Sequence, residues 1–110
     1  MKLRKITLLN SSILTAYGKY SFDALTLSGA RQMVHDADEV QSAIGHASTA
    51  GILSDLLDFP VSQNRMEYQQ QTDEAALIFK LKQRPPEGKI LTREEIEEIG
   101  YEFGLLTRLS

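Results

Sequence analysis

The sequence predicts an α/β fold: a mixed sheet of about five strands flanked by about three helices, in a single domain spanning residues 1–110. Three observations predict it. A chain of 110 residues, 42% hydrophobic and 25% charged, has the composition and length of one globular core. Short apolar runs alternate with segments of helical period through the first half. Two strand-like runs then flank a three-residue polar loop, which brings antiparallel pairing into the sheet.

The elements follow in order. Lys5 to Leu9 is a short apolar strand, broken by the turn formers Asn10-Ser11-Ser12. Tyr20 to Ala24 reads as a further short strand. Thr26 is an N-cap, and Leu27, Ala30, Met33, Val34 and Ala37 recur at helical spacing, which predicts a helix over Leu27 to Asp36. His35 near its end suits the negative helix terminus. Val40 to Ile44 is a strand, ended by Gly45 and His46. A second helix starts close behind, with Ile52, Leu53, Leu56 and Leu57 as its apolar face and Pro60 as its stop. Asn64 to Gln70 and Glu74 to Leu81 are the two strand-like runs, joined by Gln71-Thr72-Asp73 as a hairpin. Thr92-Arg93-Glu94-Glu95 fits a capping box and opens a third helix, closed by Gly100. Tyr101 to Leu109 is the final strand.

Composition excludes several function classes. With no cysteine there is no disulfide, thiol nucleophile or Cys-ligated metal centre. Two histidines, His35 and His46, are too few for a His-rich metal cage. The net charge of −3 argues against a binder of long nucleic acid, which needs a basic surface to neutralise many phosphates. No apolar run approaches the length of a membrane span, and no secretory leader pattern precedes the first strand, so the expected location is cytoplasmic. No Walker-type loop, nucleophile elbow or zinc-protease motif occurs.

Three stretches near strand ends are more polar than packing needs, and open α/β sheets collect ligands at such ends. The first is Asn10, Ser11 and Ser12. The second is Gly45-His46-Ala47-Ser48-Thr49, at a strand-to-helix junction. A helix N-terminus offers free N–H groups and partial positive charge, Gly45 permits close backbone approach, and Ser48 and Thr49 add hydroxyls. Together these describe a phosphate site, beside which His46 can donate a proton to a leaving oxygen. The same pattern also fits an ordinary junction in which Ser48 or Thr49 caps the helix. The third is Arg84-Pro85-Pro86-Glu87-Gly88-Lys89. Arg84 suits bidentate phosphate contact, the prolines stiffen the loop, and Gly88 is a hinge. An exposed connection with a surface ion pair has the same composition.

The stretches Leu8-Leu9-Asn10-Ser11-Ser12-Ile13-Leu14, Ile44-Gly45-His46-Ala47-Ser48-Thr49-Ala50, Asn64-Arg65, Arg84-Pro85-Pro86-Glu87-Gly88-Lys89-Ile90-Leu91-Thr92 and Tyr101-Glu102-Phe103 occur in one order. That order resembles the viral anti-CRISPR ring nucleases of type III systems, including the YddF-like proteins of mobile elements, over nearly the whole chain. The resemblance implies a small α/β homodimer that binds cyclic tetra-adenylate across its interface. It implies cleavage without metal or other cofactor: the ribose 2′-hydroxyl attacks its adjacent phosphate, leaving linear di-adenylate with 2′,3′-cyclic phosphate ends. Type III CRISPR signalling is thereby switched off. It further implies His46 as general acid, Glu87 as a catalytic residue of the closing loop, and Arg84 as that loop's ligand-binding arginine. Ser11 or Ser12 matches a polar position after the first strand. Asn10, Gly45, Ser48, Thr49 and Lys89 complete the expected ligand contacts. Two other expectations stand beside it: a non-catalytic protein that sequesters the ring, and a regulatory protein of a mobile element.

Overall fold

The computed structural model describes residues 5–10, 14, 16–72, 74–82 and 92–110. Its elements are β1 (Lys5–Leu9), β2 (Tyr20–Leu25), α1 (Leu27–Asp36), β3 (Glu39–Ser42), α2 (Ala47–Leu57), β4 (Ala75–Leu81), α3 (Arg93–Ile99) and β5 (Tyr101–Arg108). The five strands form one mixed sheet in the order β2-β5-β4-β1-β3. β1 pairs in parallel with both β3 and β4, and β5 pairs antiparallel with β4 and β2. The expected fold class is therefore the observed one.

All three helices pack on one sheet face. Ile6 and Leu8 of β1, Leu77 and Phe79 of β4 and Phe103 of β5 project into a core completed by Ala30, Val34, Leu53, Leu56, Leu57 and Ile96 from the helices. Alternate residues point to the other face, where Leu9, Ala76, Ile78 and Leu106 form a smaller cluster under Tyr68. Period-two alternation thus buries β4 on both sides, and Ala75 to Phe79 are all buried. Further along the helix-free face, the Phe22 ring lies over Gly104, where a Cβ would collide with the ring.

Local chemistry sets the helix ends. The Thr26 hydroxyl accepts from the Gly29 N–H at 3.0 Å, and Thr92 with Glu95 forms the expected capping box. Two side chains of α1 serve the last carbonyls of α2: Arg31 Nε donates to Leu56 O at 2.6 Å, and His35 Nε2 lies 3.3 Å from Leu57 O. α2 stops at Leu57, before Pro60, because Asp58 turns into the left-handed region (φ 50°, ψ 46°). The Ser54 hydroxyl bonds to Ala50 O and Val61 O and accepts from the Val61 N–H, fixing the exit from the helix.

One expected strand is corrected. Asn64 to Gln70 pairs with no strand, so the predicted hairpin with β4 does not form. The 61–71 segment is tied down mainly by side chains. Ser42 Oγ donates to Ser62 O (2.6 Å), Asn64 Nδ2 donates to Ser42 O (2.7 Å), and the Asn64 N–H donates to Ile44 O (2.8 Å). Farther on, Gln70 Nε2 donates to Glu74 O (2.7 Å) and Leu106 O (2.9 Å). The segment therefore runs along β3 and then over the helix-free face. The fifth strand is β2. Strand β3 starts one residue before and ends two residues before the expected Val40 to Ile44: the Ile44 carbonyl accepts from the Asn64 N–H of this segment instead of from a strand.

Beneath it, the Thr7 and Tyr68 hydroxyls and Gln70 Oε1 are buried with no hydrogen-bond partner among the described residues. Burial pushes the Tyr68 phenol above its ordinary value of about 10; the neighbouring Thr7 hydroxyl opposes this and the Glu74 carboxylate adds to it. Below pH 10 the phenol is neutral in both folded and unfolded chains. Above pH 10 the unfolded phenol ionises first, so the stability that burial contributes is lost as pH rises through the folded value. Urea denaturation between pH 9 and 11 is expected to show a falling midpoint for the wild type. Tyr68→Phe should flatten that fall, since it removes the buried phenol that ionises. An equally steep fall in the variant would contradict this.

Candidate functional site

Because β1, β3 and β4 run parallel, their C-terminal ends lie at one end of the sheet. Asn10 follows β1 and is exposed. Gly45 and His46 follow β3, and Lys82 follows β4. β1 and β3 are in register up to Leu8 opposite Ser42, and the Ala43 N–H donates to Leu8 O at 3.0 Å. Asn10 and Gly45 thus follow adjacent strands. Ser11, Ser12, Arg84, Glu87 and Lys89 lie outside the described residues.

At the head of α2 the N-cap residue is His46 (φ −124°, ψ 130°), and its side chain makes no cap hydrogen bond. This corrects the idea that Ser48 or Thr49 caps the helix. Both sit inside the first turn, two and three residues past the cap, Ser48 exposed and Thr49 half-buried. Among the described residues no side chain closes the end of α2, and its first-turn N–H groups carry the partial positive charge that receives an anion. His46 is exposed and has no hydrogen bond to another described side chain. Among the described residues, packing and capping therefore make no use of its imidazole.

The surroundings of Gly45 differ from expectation. A Cβ there would lie 3.4 Å from Arg65 Cγ and 3.8 Å from Arg65 Nε, so the Arg65 side chain covers this residue. Gln63 Nε2 donates to Gly45 O at 3.0 Å, and the Asn64 bonds to Ile44 and Ser42 anchor the chain on the other side. The segment expected as a strand instead delivers Arg65, next in sequence to these anchors, to the residue before His46. Arg65 belongs to the candidate site and was missed as a site residue. Its sequence signal is the Asn64-Arg65 pair, one of the stretches that carry the resemblance.

Beside α2's first turn, a hollow of about 420 Å³ lies between α2 and α3. A second hollow, of about 260 Å³, lies on the helix-free face by Phe22, Ile78, Lys80 and Gly104, apart from His46. Among the described residues no group of three His, Asp or Glu side chains is arranged to hold a metal ion. No described helix is long and apolar enough to cross a membrane.

A family model described as STIV B116-like matches residues 6–103. YddF of Bacillus subtilis (strain 168) is 38% identical over 106 residues, covering 96% of this chain and 98% of YddF. Protein 26 of Sulfolobus islandicus filamentous virus is 34% identical over 82 residues, covering 74% of this chain and 69% of the viral protein. Among solved structures, B116 of Sulfolobus turreted icosahedral virus superposes with a TM-score of 0.78 at 23% identity, over 94% of this chain and 99% of B116, and so shares the fold. From the family match over most of its length and its similarity to YddF, the chain belongs to the STIV B116-like family.

Proposed function

We propose that this protein is a metal-independent ring nuclease that binds cyclic tetra-adenylate across a homodimer interface and cleaves it, switching off type III CRISPR signalling. The observation that carries the reading is His46: an exposed imidazole at the uncapped head of α2, beside Arg65, at the shared end of three parallel strands. A phosphodiester received by the first-turn N–H groups brings its leaving 5′-oxygen within reach of His46. The ribose 2′-hydroxyl gives its proton to solvent water and attacks the adjacent phosphorus. The P–O5′ bond breaks, and His46 gives the 5′-oxygen a proton. The product ends are a 2′,3′-cyclic phosphate and a 5′-hydroxyl.

Each part supplies a recognised share. Holding the 2′-hydroxyl in line removes much of the entropic barrier. The N–H groups and the Arg65 guanidinium stabilise charge that grows on the phosphoryl oxygens. A two-fold dimer presents the same patch twice to a ring with repeated phosphates. From the family resemblance, Arg84 and Glu87 act from the loop that closes over the ring.

The test is incubation of the protein with radiolabelled cyclic tetra-adenylate in excess chelator. Conversion to linear di-adenylate with cyclic phosphate ends is expected, and an uncut ring after long incubation would overturn the reading. Arg65→Ala is expected to raise the Kd for the ring roughly ten- to a hundredfold, the loss of one charge-assisted contact. An unchanged Kd in titration calorimetry would remove Arg65 from the site. One observation favours a second reading, sequestration without cleavage: no described side chain orients the His46 ring. Tight binding with no turnover would establish that reading instead.

A further inference from the structure

Strand β2 is an edge of the sheet, and its pairing with β5 decides which way its backbone groups point. Lys19 O accepts from the Leu109 N–H at 2.7 Å, so Lys19 and Leu109 are a bonded pair at the end of the β2–β5 ladder. The Arg108 N–H instead donates to Glu74 O, away from β2. Bonding alternates along an antiparallel ladder, so Ser21, Asp23 and Leu25 turn their N–H and C=O groups to β5. Tyr20, Phe22 and Ala24 turn theirs outward, where no described residue pairs with them.

The side chains alternate too. Tyr20, Phe22 and Ala24 lie on the helix-free face, opposite Arg108, Leu106 and Gly104, and Lys19, Ser21 and Asp23 lie on the other. Phe22 is 58% exposed, a large apolar ring beside the open edge. Lys19 and Asp23 are exposed charges of opposite sign, and neither forms an ion pair with another described residue.

We propose that β2 docks antiparallel against β2 of a second copy of this chain, with Ser21 on the two-fold axis. Ladder bonds form only where outward-turned residues meet. Tyr20 meets Phe22 of the second copy, and Phe22 meets its Tyr20, so backbone bonds are exchanged and both Phe22 rings are covered. On the opposite face the same register sets Lys19 against Asp23 of the second copy, and Asp23 against its Lys19. Opposite charges directly across a ladder are favourable, and like charges are not. The two neighbouring registers set Ser21 against Asp23 or against Lys19 and leave the charges unmatched. A two-fold parallel pairing brings each charge beside its own copy. Charge therefore singles out one register of one occupant, and the symmetry supplies each match twice. β2 lies four strands from β3, about 19 Å at the usual strand spacing. The contact is thus separate from the head of α2 and does not rest on the ring-nuclease reading.

The chain has no cysteine, so Ser21→Cys introduces a single thiol, placed at the axis. Across a directly opposed pair without ladder bonds the Cα atoms are about 4.5 Å apart, within the reach of a disulfide. With oxidised glutathione, which is reduced to two thiols as the two introduced thiols join, a covalent dimer is expected in non-reducing electrophoresis. It should form at least about tenfold faster than with Glu98→Cys, an exposed position on α3. Adding Asp23→Lys to Ser21→Cys sets lysines opposite each other and is expected to slow the crosslink about tenfold. Adding Lys19→Asp as well matches the charges again and should restore the rate, which a merely misfolded variant would not do. Equal rates for Ser21→Cys and Glu98→Cys would overturn the contact. A fast crosslink that Asp23→Lys leaves unchanged would overturn the register. Either result leaves the ring-nuclease reading standing.

Discussion

His46→Ala is expected to lower the rate of ring cleavage by about 10²–10⁴-fold, the usual contribution of a positioned general acid. The fold should not register the change. His46 is exposed, its side chain caps nothing, and it belongs to neither apolar cluster. Its backbone still accepts the first helical hydrogen bond, from the Ala50 N–H at 3.0 Å, and alanine does the same. Melting temperature and ring affinity should therefore stay near wild type while single-turnover cleavage collapses. A large fall in melting temperature would show that His46 holds the structure, and undiminished cleavage would show that the proton comes from elsewhere.

Phe79→Ala is expected to have the opposite profile, with a stability loss of about 3–5 kcal/mol. Phe79 is 2% exposed at the centre of the helix-side core. Its ring lies 5.3 Å from that of Phe103 and 6.0 Å from that of Tyr101, tilted against both. Removing it opens a cavity where β4 and β5 meet and ends these aromatic contacts. Domains of this size typically have about 5–15 kcal/mol in total, so the variant should unfold at a much lower urea concentration. A loss under about 1 kcal/mol would mean that the neighbouring side chains collapse into the space more fully than close packing usually permits.

What could be read in the sequence was whatever local chemistry decides. The α1 boundaries matched because Thr26 caps the helix and the apolar residues recur at 3.6 spacing. The α3 start matched because a capping box is satisfied within four residues. The 61–71 segment was not legible, although its alternation is real: Tyr68 packs inward and Gln70 is buried, while Glu67 and Gln69 are exposed. Period-two burial marks an extended chain, but only a partner ladder makes a strand. Here side chains take up bonds that a ladder would supply. The same error hid Arg65, because delivering it to Gly45 depends on bonds to residues about twenty positions away. The residues of the head of α2 were named from sequence; that the side chain at its cap leaves the helix end open was visible only in the folded chain.

The two edges of the sheet are unlike. The Ser62 and Asn64 contacts reach β3 only at its last residue, Ser42, whereas β2 has a strand partner only in β5 and no described residue pairs with its outer side. An unpaired strand edge is a template for another strand. Where two copies join antiparallel through β2, each consumes the edge that the other offers, so that contact closes at a pair and does not propagate.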